Sequence, residues 1–256
     1  ISLNLKFTSP VLINDLELLT RPVSYLAVDY KLKDGKNHNV KIDIRVSDEL
    51  CLNEAGQNDV IKEDVKIDNL AGMKMGNVEQ KPLHKSGDDI RIDWGYVYLL
   101  TNGKNAETKT SDRHGREYIH TVCDVKENEK TLFFFAYDDI ESIEYFKKLL
   151  KSYWNRNGKT ILEAIKEASD DYENTLKICN EFSEKLYSDA VNVGGEKYSE
   201  LLLLAYRQVI AAHKLVLDEN DEILYISKEC NSNGCAATVD VSYPSTPLFL
   251  LYNPEL

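Results

Sequence analysis

Residues 40–47 read VKIDIRVS, and apolar side chains alternate there with polar ones. The apolar members are Val40, Ile42, Ile44 and Val46. Because successive side chains of a β-strand point to opposite faces, this alternation places all four on one face. The stretch therefore predicts a strand with one face on a core and the other in solvent.

Similar strand patterns lie on both sides of this stretch. They cover residues 23–30, 90–100, 118–125 and 131–137. Turn-forming residues separate them, such as the Asp34-Gly35 pair, where glycine tolerates a positive φ. Strands joined by turns, without helices between them, indicate an antiparallel sandwich. We expect residues 118–125 and 131–137 to face each other across a short polar turn.

After residue 137 the spacing of the apolar residues becomes helical. Apolar residues recur every three to four positions within residues 138–150, 160–165, 172–186 and 198–217. Residues 198–217 show the strongest pattern, residues 223–226 are typical of a short strand, and a further helix is expected to begin at 245–247. The prediction is an α+β protein with a sandwich domain, residues 1–137, and a helical domain, residues 138–256.

Two of these helices carry a recognisable start signal. Asp138 is followed by Glu141, and Thr160 is followed by Glu163. A capping residue followed three positions later by glutamate satisfies free amides at the first turn of a helix. We therefore expect helices to begin at both positions.

The ends of the chain are unusual. It opens at Ile1, inside an apolar-alternating stretch, and closes at Leu256, just after an apolar run. We expect the chain to be a fragment of a longer protein.

Charge and hydropathy exclude several kinds of partner. The chain of 256 residues has 31 lysines and arginines against 43 acidic residues, a net charge of −12, and no basic run. This balance argues against nucleic acid and against an anionic membrane surface. The longest apolar runs are far shorter than the roughly 20 residues of a membrane-spanning helix. We expect no nucleic-acid partner and no membrane span.

The cysteines and histidines do not form a known site. The five cysteines are too sparse for a disulfide scaffold; Cys230 and Cys235 could be bridged across a loop or could remain thiols. The spacings C-x-x-C and H-E-x-x-H are absent, so we predict no metal and no cofactor. The G-x-S-x-G, S-x-x-K, P-loop and dinucleotide-binding signatures are absent as well.

Residues 85–95, KSGDDIRIDWG, are dense in charged groups ahead of an aromatic strand. One interpretation is a strand start held by salt bridges beside the sandwich core. The other is the rim of a ligand site. The sequence leaves both open.

Residues 227–243 form a second polar stretch, after the long helix. Asp240 lies just before the expected helix start, where exposed amides and the helix dipole suit a ligand carboxylate. A buried Glu229 or Asp240 with a raised pKa would act as general acid or base. The alternative is that Asp240 only caps the helix.

The long helix offers further candidates. Arg207 and Lys214 are seven residues apart and would share one helix face, where they would bind substrate or simply be solvated. Tyr206 and His213 have the same spacing and follow the apolar stripe, so we expect them in the core.

Five stretches together resemble the glutaminase A family of secreted bacterial and fungal proteins. They are RPVSYLAVDY (21–30), GDDIRIDWGYVYLL (87–100), FFFAYDDIESIEYF (133–146), YRQVIAAHKLV (206–216) and SNGCAATVDVSYPSTPLFLLYNPEL (232–256). The resemblance implies a β-sandwich followed by a six-helical-hairpin (α/α) toroid, of which this chain contains only the first part. It also implies hydrolysis of L-glutamine to glutamate and ammonia, and a secreted, periplasmic or cell-surface location.

The sequence hypothesis is therefore an L-glutamine amidohydrolase whose pocket lies at the toroid mouth. Its catalytic residues would be Asp240 and Glu229, and its substrate-binding residues Lys228, Asn233, Tyr243, Arg207 and Lys214. The partner would be a small molecule, an amino acid or, in the alternative of a carbohydrate-active enzyme, a sugar. A non-catalytic binding module is the third alternative, and the 256 residues alone are expected to be inactive.

Overall fold

Alternating apolar residues build two antiparallel sheets that pack face to face. The structure is a computed structural model, and it describes residues 1–87, 89–228 and 235–256. In chain order the strands of these sheets are β1 (Ser2–Thr8), β2 (Val23–Lys31), β3 (Val40–Ser47), β4 (Val60–Ile67), β5 (Leu70–Asn77), β6 (Tyr96–Thr101), β7 (Lys104–Arg113), β8 (Arg116–Val125) and β9 (Thr131–Asp138). The first sheet has the order β1-β2-β9-β6-β5-β4, and the second has the order β3-β8-β7.

The sandwich core lies between these two sheets. Leu26, Leu99 and Phe133 of the first sheet pack there against Ile119 of the second. Val46 is buried in this core, and the other apolar residues of β3 pack against it. The predicted strand over residues 40–47 is therefore confirmed, with its apolar face inward.

Strands β8 and β9 are confirmed as strands, but their predicted pairing is wrong. Strand β8 pairs with β3 and β7, whereas β9 pairs with β2 and β6 in the opposite sheet. The segment between them therefore crosses the sandwich instead of forming a hairpin.

Helices cover the other face of the first sheet. Helix α1 (Leu16–Thr20) precedes β2, and helices α2 (Ile161–Asp170) and α3 (Tyr172–Gly194) follow β9. Ile165 of α2 packs against Phe134 and Leu100, so the central strands of the first sheet are buried on both sides. The predicted start of α2 is confirmed: the Thr160 Oγ1 accepts from the Glu163 N–H at 3.3 Å, and Glu163 accepts from the Thr160 N–H at 2.7 Å.

The C-terminal helices pack around a segment from the start of the chain. Helices α4 (Glu196–Ala211) and α5 (Val239–Tyr252) join α3 in a cluster centred on Ile13, which is fully buried. The Tyr206 hydroxyl accepts from the N–H of Ile13 at 3.1 Å, and Asn253 Nδ2 donates to its carbonyl oxygen at 2.9 Å. Tyr206 is therefore in the core, as expected, and it joins α4 to the N-terminal segment.

The predicted helix over residues 138–150 is wrong. The chain forms a hairpin there, with β10 (Ile143–Tyr145) paired to β11 (Lys148–Leu150). Phe146 and Lys147 both have positive φ, 46° and 67°, the conformation of a two-residue hairpin turn. No helix can pass through two such residues. Asp138 does not cap a helix: its side chain accepts from the N–H of Ile140 at 3.0 Å.

The long helix is shorter than predicted. Helix α4 ends at Ala211, and the chain then forms β12 (His213–Leu217), which pairs with β13 (Ile223–Ser227). The short strand expected over residues 223–226 is thus confirmed, and it pairs with residues 213–217. Consequently the expectations that Arg207 shares a helix face with Lys214, and Tyr206 with His213, are wrong.

Helix α5 begins at Val239, before the predicted start at residues 245–247, and contains Pro244 and Pro247. The antiparallel sheets and the later helices confirm the α+β class. Within the described ranges, no helix is long and apolar enough to cross a bilayer.

Candidate functional site

Trp94 connects the loop before β6 to the segment after β9. Its indole is 8% exposed, and Nε1 donates to the carbonyl oxygens of Asp139 at 2.7 Å and Glu141 at 3.2 Å. The Tyr137 hydroxyl donates to the carbonyl oxygen of Trp94 at 2.5 Å. These bonds fix residues 138–142, which we call the acidic turn, against the end of the sandwich.

The acidic turn carries three carboxyl groups within four residues. Ile140, in the middle, has a φ of 57°, which brings the chain sharply back. Asp139 Oδ2 accepts from the Ser142 hydroxyl at 2.7 Å and forms an ion pair with Lys214 at 2.7 Å. Glu141 Oε2 is buried and has no hydrogen-bond partner among the residues that the structure describes.

This environment separates the protonation behaviour of the carboxyl groups. Burial raises the pKa of Glu141, and the nearby charge of Asp139 adds to that effect while Lys151 opposes it. Burial likewise raises the pKa of Asp138. Asp139, by contrast, has the ammonium of Lys214 beside it. A carboxyl group with a raised pKa and a neighbouring ion-paired carboxylate can act as the acid and the base of one reaction.

The loop before β6 contains another buried carboxyl group, that of Asp93, which is 1% exposed. Its Oδ2 accepts from Lys85 Nζ at 2.6 Å and from Gln57 Nε2 at 2.7 Å. Burial alone would raise the pKa of Asp93, but these two hydrogen bonds outweigh it and hold the pKa below its ordinary value. For Asp93 and Lys85 the structure therefore matches the salt-bridge interpretation of residues 85–95.

Of the predicted site residues, Lys214 contacts the acidic turn. It does so from β12, through the ion pair with Asp139. Arg207 is exposed on α4. It lines a cavity of about 270 Å³ between the N-terminal segment, α3 and α4. The apolar residues Phe7, Phe182 and Leu203 line the same cavity. The two cations therefore lie in different surroundings.

Ser227 is buried, whereas Lys228 and residues 235–243 are exposed or half-buried. Asp240 is exposed in the first turn of α5, and Tyr243 is 79% exposed. The N-cap position of α5 is Thr238, so Asp240 does not occupy the cap. Lys228 is exposed and forms a β-bridge with Ala236. The predicted roles of Glu229 and Asn233, and the possible Cys230–Cys235 bridge, fall outside the described residues.

Residues 227–243 begin close to the acidic turn along the β12–β13 pair. Lys214 is the register partner of Ile226, one residue before the segment begins. The Ser227 hydroxyl also lies 3.0 Å from the Ser242 hydroxyl, which ties the end of β13 to α5. The segment therefore leaves the sheet beside the lysine that contacts Asp139.

Sequence reasoning missed the acidic turn as a site. The local signal is the run Asp138-Asp139 with Glu141, which equally fits the start of a helix. The importance of Trp94 depends on carbonyl groups 45 and 47 residues away, which no local pattern shows. In the described portion of the chain, no group of three or more His, Cys, Asp or Glu side chains is placed to hold a metal ion.

The fold and this junction define a β-sandwich protein continued by helical hairpins. A family described as a domain of unknown function, DUF5127, matches residues 1–120 and 117–189. The glutaminase A six helical-hairpin domain matches residues 195–256. The chain belongs to the glutaminase A family.

Two relatives carry corresponding names. The chain is 26% identical, over an alignment of 292 positions, to glutaminase A of Aspergillus oryzae; the alignment covers 100% of the chain and 42% of that protein. It is 30% identical over 107 residues to a probable glutaminase of Arthroderma benhamiae, covering 42% of the chain and 12% of that protein. The chain thus spans less than half the length of either relative.

Proposed function

We propose that the acidic turn supplies the proton-transfer groups of an amidohydrolase that converts L-glutamine to L-glutamate and ammonia. The observation that carries this proposal is the buried Glu141 Oε2, which has no hydrogen-bond partner among the described residues and lies in the same turn as the Asp139–Lys214 ion pair. The names of the two relatives support glutamine as the substrate and do not favour the carbohydrate alternative.

The chemistry needs one base and one acid. Asp139 takes a proton from water as the water oxygen attacks the side-chain amide carbon of glutamine. Glu141, whose pKa is raised by burial, gives its proton to the departing nitrogen. The carbon–nitrogen bond breaks, and the products are glutamate and ammonia. Lys214 holds the Asp139 carboxylate in position through their ion pair.

Residues predicted within 227–243 would complete the substrate site. Lys228, Asn233 and Tyr243 would bind the α-carboxylate and amide of the substrate, and Asp240 or Glu229 would be an alternative base. Because the chain spans 42% of the Aspergillus oryzae protein, the proposed activity belongs to the whole protein, and the 256 residues alone are expected to show little of it. A secreted, periplasmic or cell-surface location and a division at residue 138 accompany this proposal.

The test measures ammonia release from L-glutamine by the full-length protein. Glu141→Gln removes the proton donor with little change of shape, and we expect kcat to fall about 100-fold or more. Glu144→Gln is the matched control, because Glu144 is an exposed glutamate on the adjacent strand β10. Unchanged turnover in Glu141→Gln would refute the role of the acidic turn.

A second variant separates the two candidate regions. Asp240→Asn changes the exposed carboxylate of α5 and leaves the acidic turn intact. If Asp240→Asn abolishes ammonia release and Glu141→Gln does not, the reaction depends on residues 227–243 and the assignment to the acidic turn is wrong. Equal loss in both variants places the two regions in one pocket.

A further inference from the structure

A serine, a histidine and an aspartate lie on three neighbouring strands of the second sheet. Ser111 is on β7, His120 is on the central strand β8, and Asp43 is on β3. In register, Ser111 is opposite Tyr118, which lies two residues before His120 on β8. Arg45 is opposite His120, and Asp43 lies two residues before Arg45 on β3. Ser111 and Asp43 are therefore both diagonal neighbours of His120. Ile119 of β8 faces the sandwich core, so His120 faces outward.

The three side chains form one hydrogen-bonded chain. Ser111 Oγ lies 2.7 Å from His120 Nε2, and His120 Nδ1 lies 3.1 Å from Asp43 Oδ1. An ionised carboxylate only accepts hydrogen bonds, so Nδ1 carries the ring proton. In a neutral imidazole Nε2 is then the acceptor, and it receives the hydrogen bond of the serine hydroxyl.

This order of groups, hydroxyl to Nε2 and Nδ1 to carboxylate, is that of a Ser-His-Asp hydrolase triad. His120 is 6% exposed, so its ring is held among neighbouring side chains, whereas Ser111 is exposed to solvent. Sheet strands position such groups more rigidly than loops do. The geometry therefore offers an activated nucleophile with access to a substrate.

The surroundings of Ser111 indicate which substrate would fit. Lys109 and Arg113 are two residues away on either side along β7, so both share the outer face with Ser111. Within the described ranges neither forms an ion pair, although the protein as a whole has a net charge of −12. Two exposed cations beside the nucleophile favour a substrate with a negative charge.

The reaction also needs donors for the negative oxygen that forms during attack. Lys109 and Arg113, on the same face of β7 as Ser111, are the donors beside it. They would stabilise the oxyanion as it develops.

We propose that Ser111, His120 and Asp43 form a second hydrolytic site, which cleaves small anionic carboxylic esters. Ser111 Oγ attacks the ester carbon while its proton moves to His120 Nε2. The bond to the leaving alcohol breaks, the alcohol takes that proton, and an acyl-serine remains. Water then attacks the acyl-serine with His120 again as base, which releases the acid and restores the serine. The proposal does not depend on glutamine hydrolysis.

The experiment uses two probes on the full-length protein. A fluorophosphonate reagent forms a serine–phosphorus bond and releases fluoride, and peptide mass spectrometry locates the adduct. The second probe is 4-nitrophenyl hemisuccinate, an anionic ester, compared with neutral 4-nitrophenyl acetate. We expect the adduct on Ser111 and faster cleavage of the anionic ester.

Ser111→Ala should remove the adduct and lower ester cleavage about 100-fold or more. Ser47→Ala is the matched control, because Ser47 pairs with the other side of Tyr118 and its hydroxyl bonds to Glu49 instead of a histidine. It should behave as the unmodified chain. An adduct on Ser47, or none on Ser111, overturns the proposal.

His120→Gln and Asp43→Asn test whether the serine is activated by its neighbours. Both should slow labelling of Ser111, His120→Gln more strongly, because it removes the base itself. Circular dichroism of each variant confirms that it is folded. Labelling of Ser111 at an unchanged rate in a folded His120→Gln variant also overturns the proposal, since the serine would then react without the triad.

Discussion

The loop that carries Asp93 and the acidic turn that carries Glu141 meet at Trp94, and each contains a buried carboxyl oxygen without a hydrogen-bond partner among the described residues. Their pKa values nevertheless move in opposite directions. Hydrogen bonds from Lys85 and Gln57 hold the pKa of Asp93 low, whereas burial raises that of Glu141. Burial alone therefore does not decide whether a carboxyl group keeps its proton; the cation and amide donors around it do.

The largest effect is expected where the two regions join. Trp94→Ala removes a buried ring and both hydrogen bonds to the acidic turn, so we expect the free energy of unfolding to fall by about 3–5 kcal/mol. Trp94→Phe keeps most of the ring and should lose only about 1 kcal/mol, for the missing donor. Urea unfolding measures both. Equal losses in the two variants would mean that the hydrogen bonds, and not the ring, hold the regions together.

The next prediction concerns the Asp93 side. Lys85→Met leaves the buried Asp93 carboxylate without its cation, and we expect a loss of about 2 kcal/mol, less than for a fully buried pair because Lys85 is 36% exposed. Lys81→Met is the control on the same loop. Its pair with Glu79 is exposed on both sides, so the loss should be much smaller than that of Lys85→Met. Similar losses in Lys85→Met and Lys81→Met would contradict the prediction that a buried carboxylate depends more on its cation than an exposed one.

A smaller effect is expected on the other side, at Lys214. Lys214→Met breaks the ion pair with Asp139, but Asp139 keeps the hydrogen bond of Ser142. We expect a loss of about 1 kcal/mol in the free energy of unfolding. A loss larger than that of Lys85→Met would reverse the contrast between the two regions.

The smallest effect is the dependence of stability on pH. Because the folded protein holds the proton of Glu141 more tightly than the unfolded chain, the contribution of Glu141 is present at low pH and is lost as the pH rises above the ordinary value of 4.5. Asp93 has the opposite sign: its contribution is present above 3.8 and is lost as the pH falls below it.

Two variants separate these contributions in denaturation curves measured across the acidic range. Relative to the unmodified protein, Glu141→Gln should gain stability as the pH rises, and Asp93→Asn should lose it. Parallel curves for all three proteins would contradict the assigned directions.

Local patterns in the sequence were sufficient for much of the fold. The alternation over residues 40–47 and the capping pair Thr160 and Glu163 predict structure correctly, because strand facing and helix caps depend on neighbours a few residues away. Residues 138–150 show where local patterns fail. Ile143, Phe146 and Leu150 fit helical spacing, but Phe146 and Lys147 adopt a positive φ. Neither residue type is typical of a turn, so the sequence does not indicate the hairpin.

The site was harder to predict than the fold. Lys214 was expected on a helix beside Arg207, but it lies on β12 and forms an ion pair with Asp139. Strand β12 forms because β13 pairs with it. The apolar spacing of residues 198–217 cannot predict this pairing, because the partner lies outside that stretch. The triad of Ser111, His120 and Asp43 likewise depends on the register of three strands and has no local motif.

The hydrogen bonds at Ile13 have a consequence for the order in which the chain is built. Tyr206 and Asn253, which bind its N–H and carbonyl oxygen, lie 193 and 240 residues later in sequence. During synthesis on a ribosome, the segment around Ile13 can therefore form these hydrogen bonds only after Tyr206 and Asn253 have been added. Contacts so distant in sequence form slowly, since a long loop has to close first. Ile13 is therefore translated long before the two residues that complete its native hydrogen bonds.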